Sequence, residues 1–167
     1  IVISDEIYEK VVFEDYKHVS IAGFPGMRER TVVFNGFSKA YSMTGWRVGY
    51  MAAPVALTGK MQNLVHDMGI CVAEFSQYGA IAALEAGDSI IKKTVEIYDE
   101  RRHALMEAFD KCGIRYNYPK AGLYMWVSVR ETGLTSYEFA EKLLLEGHVQ
   151  LFPGTIYGDG EGYVRVS

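Results

Sequence analysis

Gly36-Phe37-Ser38-Lys39-Ala40-Tyr41-Ser42-Met43-Thr44-Gly45-Trp46-Arg47-Val48-Gly49 sets one lysine and one arginine eight positions apart around a short glycine-broken loop. A lysine is a compact amine that becomes a nucleophile once its pKa falls, whereas an arginine is a permanent planar fork suited to phosphate. The pair points to a ligand that offers both a carbonyl and a phosphate. On either side the sequence reads as strand: Thr31-Val32-Val33-Phe34 is a β-branched and aromatic run of the buried kind, and residues 47–53 form another. The dozen or so residues between them are too few for a parallel crossover with its helix, so the two strands are predicted to run antiparallel. Lys39, just past the first strand, and Arg47, opening the second, then share one edge of a sheet.

A third element points at the same edge. Ile1-Val2-Ile3-Ser4 is an apolar run that gives way to Asp5-Glu6-Ile7-Tyr8, and ligands of open α/β sheets bind outside the carboxyl ends of the strands. An acid and a phenol three residues apart suit a solvated strand end or a helix cap equally well. At the far end of the chain, Leu151-Phe152-Pro153-Gly154, Tyr157-Gly158 and Gly160-Glu161-Gly162-Tyr163-Val164-Arg165-Val166-Ser167 form a glycine-rich segment that runs into an arginine-bearing strand. No strand-then-helix context supports a nucleotide fingerprint there.

Together these stretches resemble the class I/II (fold type I) pyridoxal-phosphate aminotransferases, in the prokaryotic aspartate-aminotransferase-like group. The resemblance covers nearly all of the chain. It implies that Lys39 forms the internal Schiff base with pyridoxal 5'-phosphate, and that Arg47 holds the phosphate. Asp5 would pair with the protonated pyridine nitrogen, Tyr8 would hydrogen-bond the ring's phenolic oxygen, and Arg165 would grip the substrate α-carboxylate. It further implies amino acid and 2-oxo acid substrates and a homodimer. The fold it implies is α/β: residues 1–87 as the C-terminal part of the cofactor-binding large domain, with a mixed, mostly parallel sheet, then residues 88–167 as an α+β small domain, both truncated. The chain opens inside a probable strand and stops two residues after Arg165, so it reads as a C-terminal fragment, inactive alone. One position departs from the pattern: many relatives carry serine three residues before the lysine, where its hydroxyl reaches the phosphate, and this chain has Gly36.

Composition narrows the alternatives. With 167 residues, 49% of them hydrophobic, and a formal charge of −4, the chain can bury a real core and offers no basic run for nucleic acid or membrane. No apolar stretch is long enough to span a bilayer, and no signal peptide is present. Cys71 and Cys112 are isolated and the four histidines lack ligand spacing, so no metal site or disulfide framework is expected and a reducing cytoplasm is the default.

The remaining elements follow from periodicity. Pro54 opens a helix whose Leu57, Met61, Leu64 and Met68 read as a core stripe. An alanine-rich helix follows over about residues 74–86. A long helix, capped by Asp88, runs to Cys112 and stops at Gly113. On it, Arg101 and Arg102 match a common double arginine of the family, though as residues they read as a solvated or salt-bridged face. Residues 114–118, 123–129, 149–152 and 163–166 read as strands, and Thr135-Ser136-Tyr137-Glu138 is a capping box.

Three functions compete: transamination, another pyridoxal-phosphate reaction on the same fold such as a carbon–sulfur lyase or an aminocyclopropane-carboxylate synthase, and a non-catalytic sensor half of a transcription regulator. The run from Met43 to Arg47 and the position of Tyr8 look more like the transaminases.

Overall fold

The structure, a computed structural model, describes residues 1–167. It divides into two compact units, Ile1–Ile97 and Tyr98–Ser167. In the first, β1 (Val2–Asp5) and β2 (Thr31–Gly36) run parallel, with Asp5 beside Phe34, and β3 (Gly49–Ala52) returns antiparallel to β2, with Gly49 beside Gly36. The short connection between β2 and β3 thus dictates the reversal expected of it. Strand β1 is not buried on both faces: Ile1 and Ile3 are exposed on one of them.

Three helices follow: α1 (Val55–Gly69), α2 (Glu74–Ala86) and α3 (Asp88–Lys111). The apolar stripe of α1 is not core in this chain. Leu64 is 58% and Met68 80% exposed, and the helix has no buried residue. Amphipathic spacing specifies that a helix has a sticky face, not that a partner for it lies within the same 167 residues. Asp88 stands in the first turn of α3, and Gly113 takes the left-handed φ of +67° that ends the helix by the ordinary glycine route.

In the second unit, β4 (Met125–Ser128), β5 (Phe152–Pro153) and β6 (Tyr163–Val166) form an antiparallel sheet with β6 in the centre. Met125, Val127, Val129 and Val164 are its buried core, packed against Leu105, Met106 and Phe109 of α3 and Phe139 of α4 (Ser136–Gly147). The capping box of α4 is complete: the Thr135 hydroxyl accepts from the Glu138 amide, and the Glu138 carboxylate accepts from Thr135. Residues 114–118 do not form the expected strand. Tyr116 makes a single bridge to Val127, flanked by backbone bonds from Asn117 to Trp126 and from Ser128 to Arg115, while its ring packs on Phe109 and its hydroxyl donates to Asp110, so pairing stops at one bridge beside the contacts to α3.

Arg102 is only 4% exposed. It pairs with Asp99 at 2.7 Å and donates to the Pro119 carbonyl at 2.8 Å, fastening α3 to the loop before β4. The double arginine therefore has one buried, paired member, and this loop anchor is not visible in the helical spacing.

Candidate active site

The loop between β2 and β3 is held from below by small residues. Phe37 and Met43 are buried against Ala80 and Ala83 of α2, with Tyr41 and Val48 packed alongside. Ser76 of α2 donates to the Trp46 carbonyl at 2.7 Å, and a Cβ at Gly79 would overlap the Trp46 indole. Alanine, serine and glycine on one face of α2 let the loop backbone approach where larger side chains would hold it away.

Two residues of this loop, Ser42 at φ +55° and Arg47 at φ +52°, are in the left-handed region without being glycine. Such conformations cost about 1–3 kcal/mol each and persist where surrounding contacts over-determine them, commonly at functional sites. Arg47 precedes β3 and does not open it, because it ends the short turn Thr44–Trp46 in that left-handed conformation. Its Nη1 donates to the Thr44 carbonyl at 2.9 Å; the side chain is exposed and its other donors have no partner in the chain.

Lys39 lies three residues past the end of β2, half-buried, with Nζ 5.5 Å from the centroid of the Tyr8 ring. It has no carboxylate partner. Asp5 ends β1, the strand parallel to β2, and its Oδ1 accepts from the Ile7 amide at 3.2 Å. The structure therefore brings Lys39 and Tyr8 into direct contact, and the topology sets Asp5 and Arg47 on the same sheet edge. The donor set suits pyridoxal phosphate: an amine for an aldehyde, unused guanidinium donors for a phosphate, a carboxylate for a ring nitrogen and a phenol for a ring oxygen.

Gly36 has a steric reason to be glycine. A Cβ there would stand 2.9 Å from the Gly49 Cα and 3.1 Å from the Val48 carbonyl oxygen. Gly36→Ser, which would restore the hydroxyl common three residues before the lysine, is expected to lower stability by about 1–3 kcal/mol through overpacking. Urea unfolding of the two proteins checks this; equal midpoints would show that β3 yields freely.

Arg165 belongs to the second unit and stands alone in its chemistry there. In the middle of β6 it pairs with Trp126 of β4 and Phe152 of β5, and its guanidinium lies 4.1 Å from the Tyr124 ring centroid, 4.5 Å from Tyr157 and 5.1 Å from Phe152. It has no ion pair within the chain. Rings stacked on a guanidinium can occupy its faces while its in-plane N–H groups stay available as donors. The loop before β6 is fixed by Ser136, fully buried, whose Oγ accepts from the amides of Gly162 and Tyr163. Glu161 accepts from the Ser136 and Gly162 amides. Despite a desolvation that works against them, these bonds, the Ser136 amide first, hold its carboxyl below the usual range.

Sequence reasoning missed the aromatic enclosure of Arg165. Phe152, Tyr157 and Tyr124 are separated in sequence, and no spacing marks the pairing of Phe152 with Arg165 or the approach of the two tyrosines.

The family described as Aminotransferase class I and II matches residues 1–167. The chain is 42% identical to an aspartate aminotransferase of Pyrococcus abyssi, covering 100% of this chain and 44% of that protein. It is 38% identical to an aromatic-amino-acid aminotransferase of Thermococcus litoralis, covering 99% of this chain and 43% of the relative. The crystal structure of an aromatic aminotransferase from Pyrococcus horikoshii superposes with a TM-score of 0.94 at 40% identity, over 100% of this chain and 45% of that one. The chain thus spans less than half the length of the relatives it matches.

Proposed function

The chain belongs to the class I and II aminotransferases, a pyridoxal-phosphate-dependent family of fold type I, and on that premise we propose that it supplies the lysine-bearing part of an enzyme that moves an amino group between an L-amino acid and a 2-oxo acid. The observation that carries this reading is Lys39: an amine with no carboxylate partner, over the Tyr8 ring, on the edge where Asp5 and Arg47 also end. Pyridoxal phosphate supplies an electron sink for the bond broken at the substrate Cα.

The protein's own residues do the rest. Lys39 would hold the aldehyde carbon through Nζ and, once displaced by the incoming amino group, would carry a proton from the substrate Cα to the cofactor carbon, as general base and then general acid. Asp5 presents a carboxylate to the ring nitrogen and so keeps its proton in place. Tyr8 donates to the ring oxygen. Arg47 grips the phosphate, and Arg165 grips the substrate carboxylate, fixing which bond at Cα faces the ring. We propose a homodimer for the full protein, as the resemblance implies, and a cytoplasmic location on the isolation of Cys71 and Cys112.

The amino-group transfer itself is tested by incubating the full-length protein with pyridoxal phosphate, a panel of L-amino acids and 2-oxoglutarate. Glutamate should form. Release of pyruvate and ammonia without glutamate would favour a carbon–sulfur lyase and sink the transaminase reading. The breadth of the panel bears on substrate choice, since the two relatives above are named for aspartate and for aromatic amino acids.

Two substitutions test the anchoring roles. Arg47→Ala should weaken pyridoxal phosphate by about 1.5–3 kcal/mol, the worth of a hydrogen bond to a charged group, and should weaken pyridoxal, which lacks the phosphate, far less. Equal losses for both forms would make Arg47 structural. Arg165→Lys keeps the charge but loses the two-point fork, so kcat/KM should fall for every amino acid donor, with part of the loss in kcat. Amines without a carboxylate should react as before. Loss of cofactor binding in this variant would remove Arg165 from the substrate site.

A further inference from the structure

Between Asp5 and Tyr8 lies Glu6, the one acidic residue that is buried in this chain, at 5% exposure. Its Oε1 accepts from the hydroxyls of Ser4 at 3.0 Å and Ser20 at 2.9 Å, and its Oε2 accepts from His18 Nε2 at 2.9 Å. The backbone is fixed as well: the Glu6 amide donates to the Phe34 carbonyl, and the Glu6 carbonyl accepts from Glu9. Burial alone would raise this carboxyl, but the bonds from His18, Ser20 and Ser4 outweigh it and hold the group below the usual range. Glu6, Glu9 and His18 each bring a ligand atom within 4.8 Å of the others. Both Glu6 oxygens accept from protein donors, so the carboxylate is the hub of a hydrogen-bond cluster.

A buried carboxylate with three donors contributes little net stability, because an apolar residue of similar size would be stabilised as well or better. What it adds is direction. We propose that Glu6 is a positioning residue for the cofactor site, gathering Ser4, His18 and Ser20 to fix the turn that carries Asp5 and Tyr8. The route is short: Glu6 holds the chain at Ile7, and the Ile7 amide holds Asp5 Oδ1 at 3.2 Å. If Glu6 is released, both the Asp5 carboxylate and the Tyr8 phenol lose their aim. This inference rests on the roles of Asp5 and Tyr8 proposed above.

The test uses Glu6→Ala and Glu6→Gln in the full-length protein, each with and without pyridoxal phosphate. Without cofactor, Glu6→Ala should speed hydrogen exchange of the Ile7 amide by roughly tenfold or more while the amides of β2 keep their protection, the pattern of a local opening. With cofactor, weakening the Tyr8 hydrogen bond to an anionic ring oxygen should move the pH midpoint of the visible absorption band upward by about 0.5 unit or more. The same variant should lower kcat about 10- to 100-fold, the scale of a small misplacement, with KM for amino acid donors little changed because Arg165 is untouched. Glu6→Gln keeps an acceptor oxygen for the Ser4 and Ser20 hydroxyls, and its amide can donate to His18 Nε2 in the other tautomer, so it should recover most of each effect.

A variant with only a lower melting temperature, and with wild-type exchange at Ile7, band midpoint and kcat, would overturn the proposal. Should Glu6→Ala fail to fold, Ser20→Ala removes one donor from the hub and should move the midpoint in the same direction; an unmoved midpoint there overturns it too. Asp5→Asn separates the two levels. If Asp5→Asn leaves the midpoint where it was, the site reading fails. If Asp5→Asn moves it and Glu6→Ala does not, the positioning role alone fails.

Discussion

Replacing Lys39 by alanine is expected to lower amino-group transfer by at least 10²- to 10⁴-fold, the usual contribution of one positioned acid or base, and to abolish covalent capture of the cofactor as well. The control is Lys60→Ala on the exposed α1. It removes the same charge and should leave the rate essentially unchanged. Stopped-flow measurement of a single half-reaction distinguishes the outcomes, because it reports proton removal at Cα without product release. Lys39→Ala protein that turned over at the wild-type rate would leave the lysine as a surface cation and the loop's left-handed residues without a functional explanation.

The second large effect is expected at Asp5. Asp5→Asn preserves size and leaves an oxygen able to accept from the Ile7 amide, so the turn should survive and the cofactor should still bind. What it removes is a negative charge beside a protonated ring nitrogen. Two unit charges 4 Å apart interact by about 4 kcal/mol at the effective dielectric typical near a protein surface, and a loss of that size in the transition state is roughly a thousandfold in rate. Affinity should suffer much less, since the phosphate and the lysine do not depend on Asp5. The ratio matters: Arg47→Ala should act on binding and Asp5→Asn on the rate of Cα deprotonation. If Asp5→Asn changed affinity and left single-turnover rates alone, Asp5 would be a strand-end cap of the ordinary kind.

The sheet edge that collects these residues was legible because each part rests on a local rule. A β-branched run and a connection too short to cross over predict the antiparallel return of β3 along β2, and an acid at a strand end puts Asp5 on the same edge, whereas the pairing of β1 with β2 is a finding of the structure. The capping box at Thr135 and the glycine stop at Gly113 are equally local. What could not be read depends on contacts distant in sequence. Ser20 and His18 reach Glu6 across 14 and 12 residues through an irregular loop, and no spacing marks them as partners. Of the rings around Arg165, Phe152 is brought by strand pairing, and Tyr124 and Tyr157 by the segments beside the strands. Arg102 is buried by a loop 17 residues further on. The stripe on α1 shows the limit of periodicity from the other side, since its spacing is right and its partner is not in this chain. Gly36 is instructive too: as sequence it is a missing hydroxyl, and as structure it is the point where two strands leave no room for a side chain.

The central claim is that the cofactor is attached at Lys39, and chemical trapping tests it most directly. The full-length protein loaded with pyridoxal phosphate is reduced with borohydride, digested, and the modified peptide sequenced by mass spectrometry. The account predicts the cofactor's mass on the peptide carrying Lys39 and on no other lysine. Modification at Lys60 or Lys120 with Lys39 unmodified would contradict it.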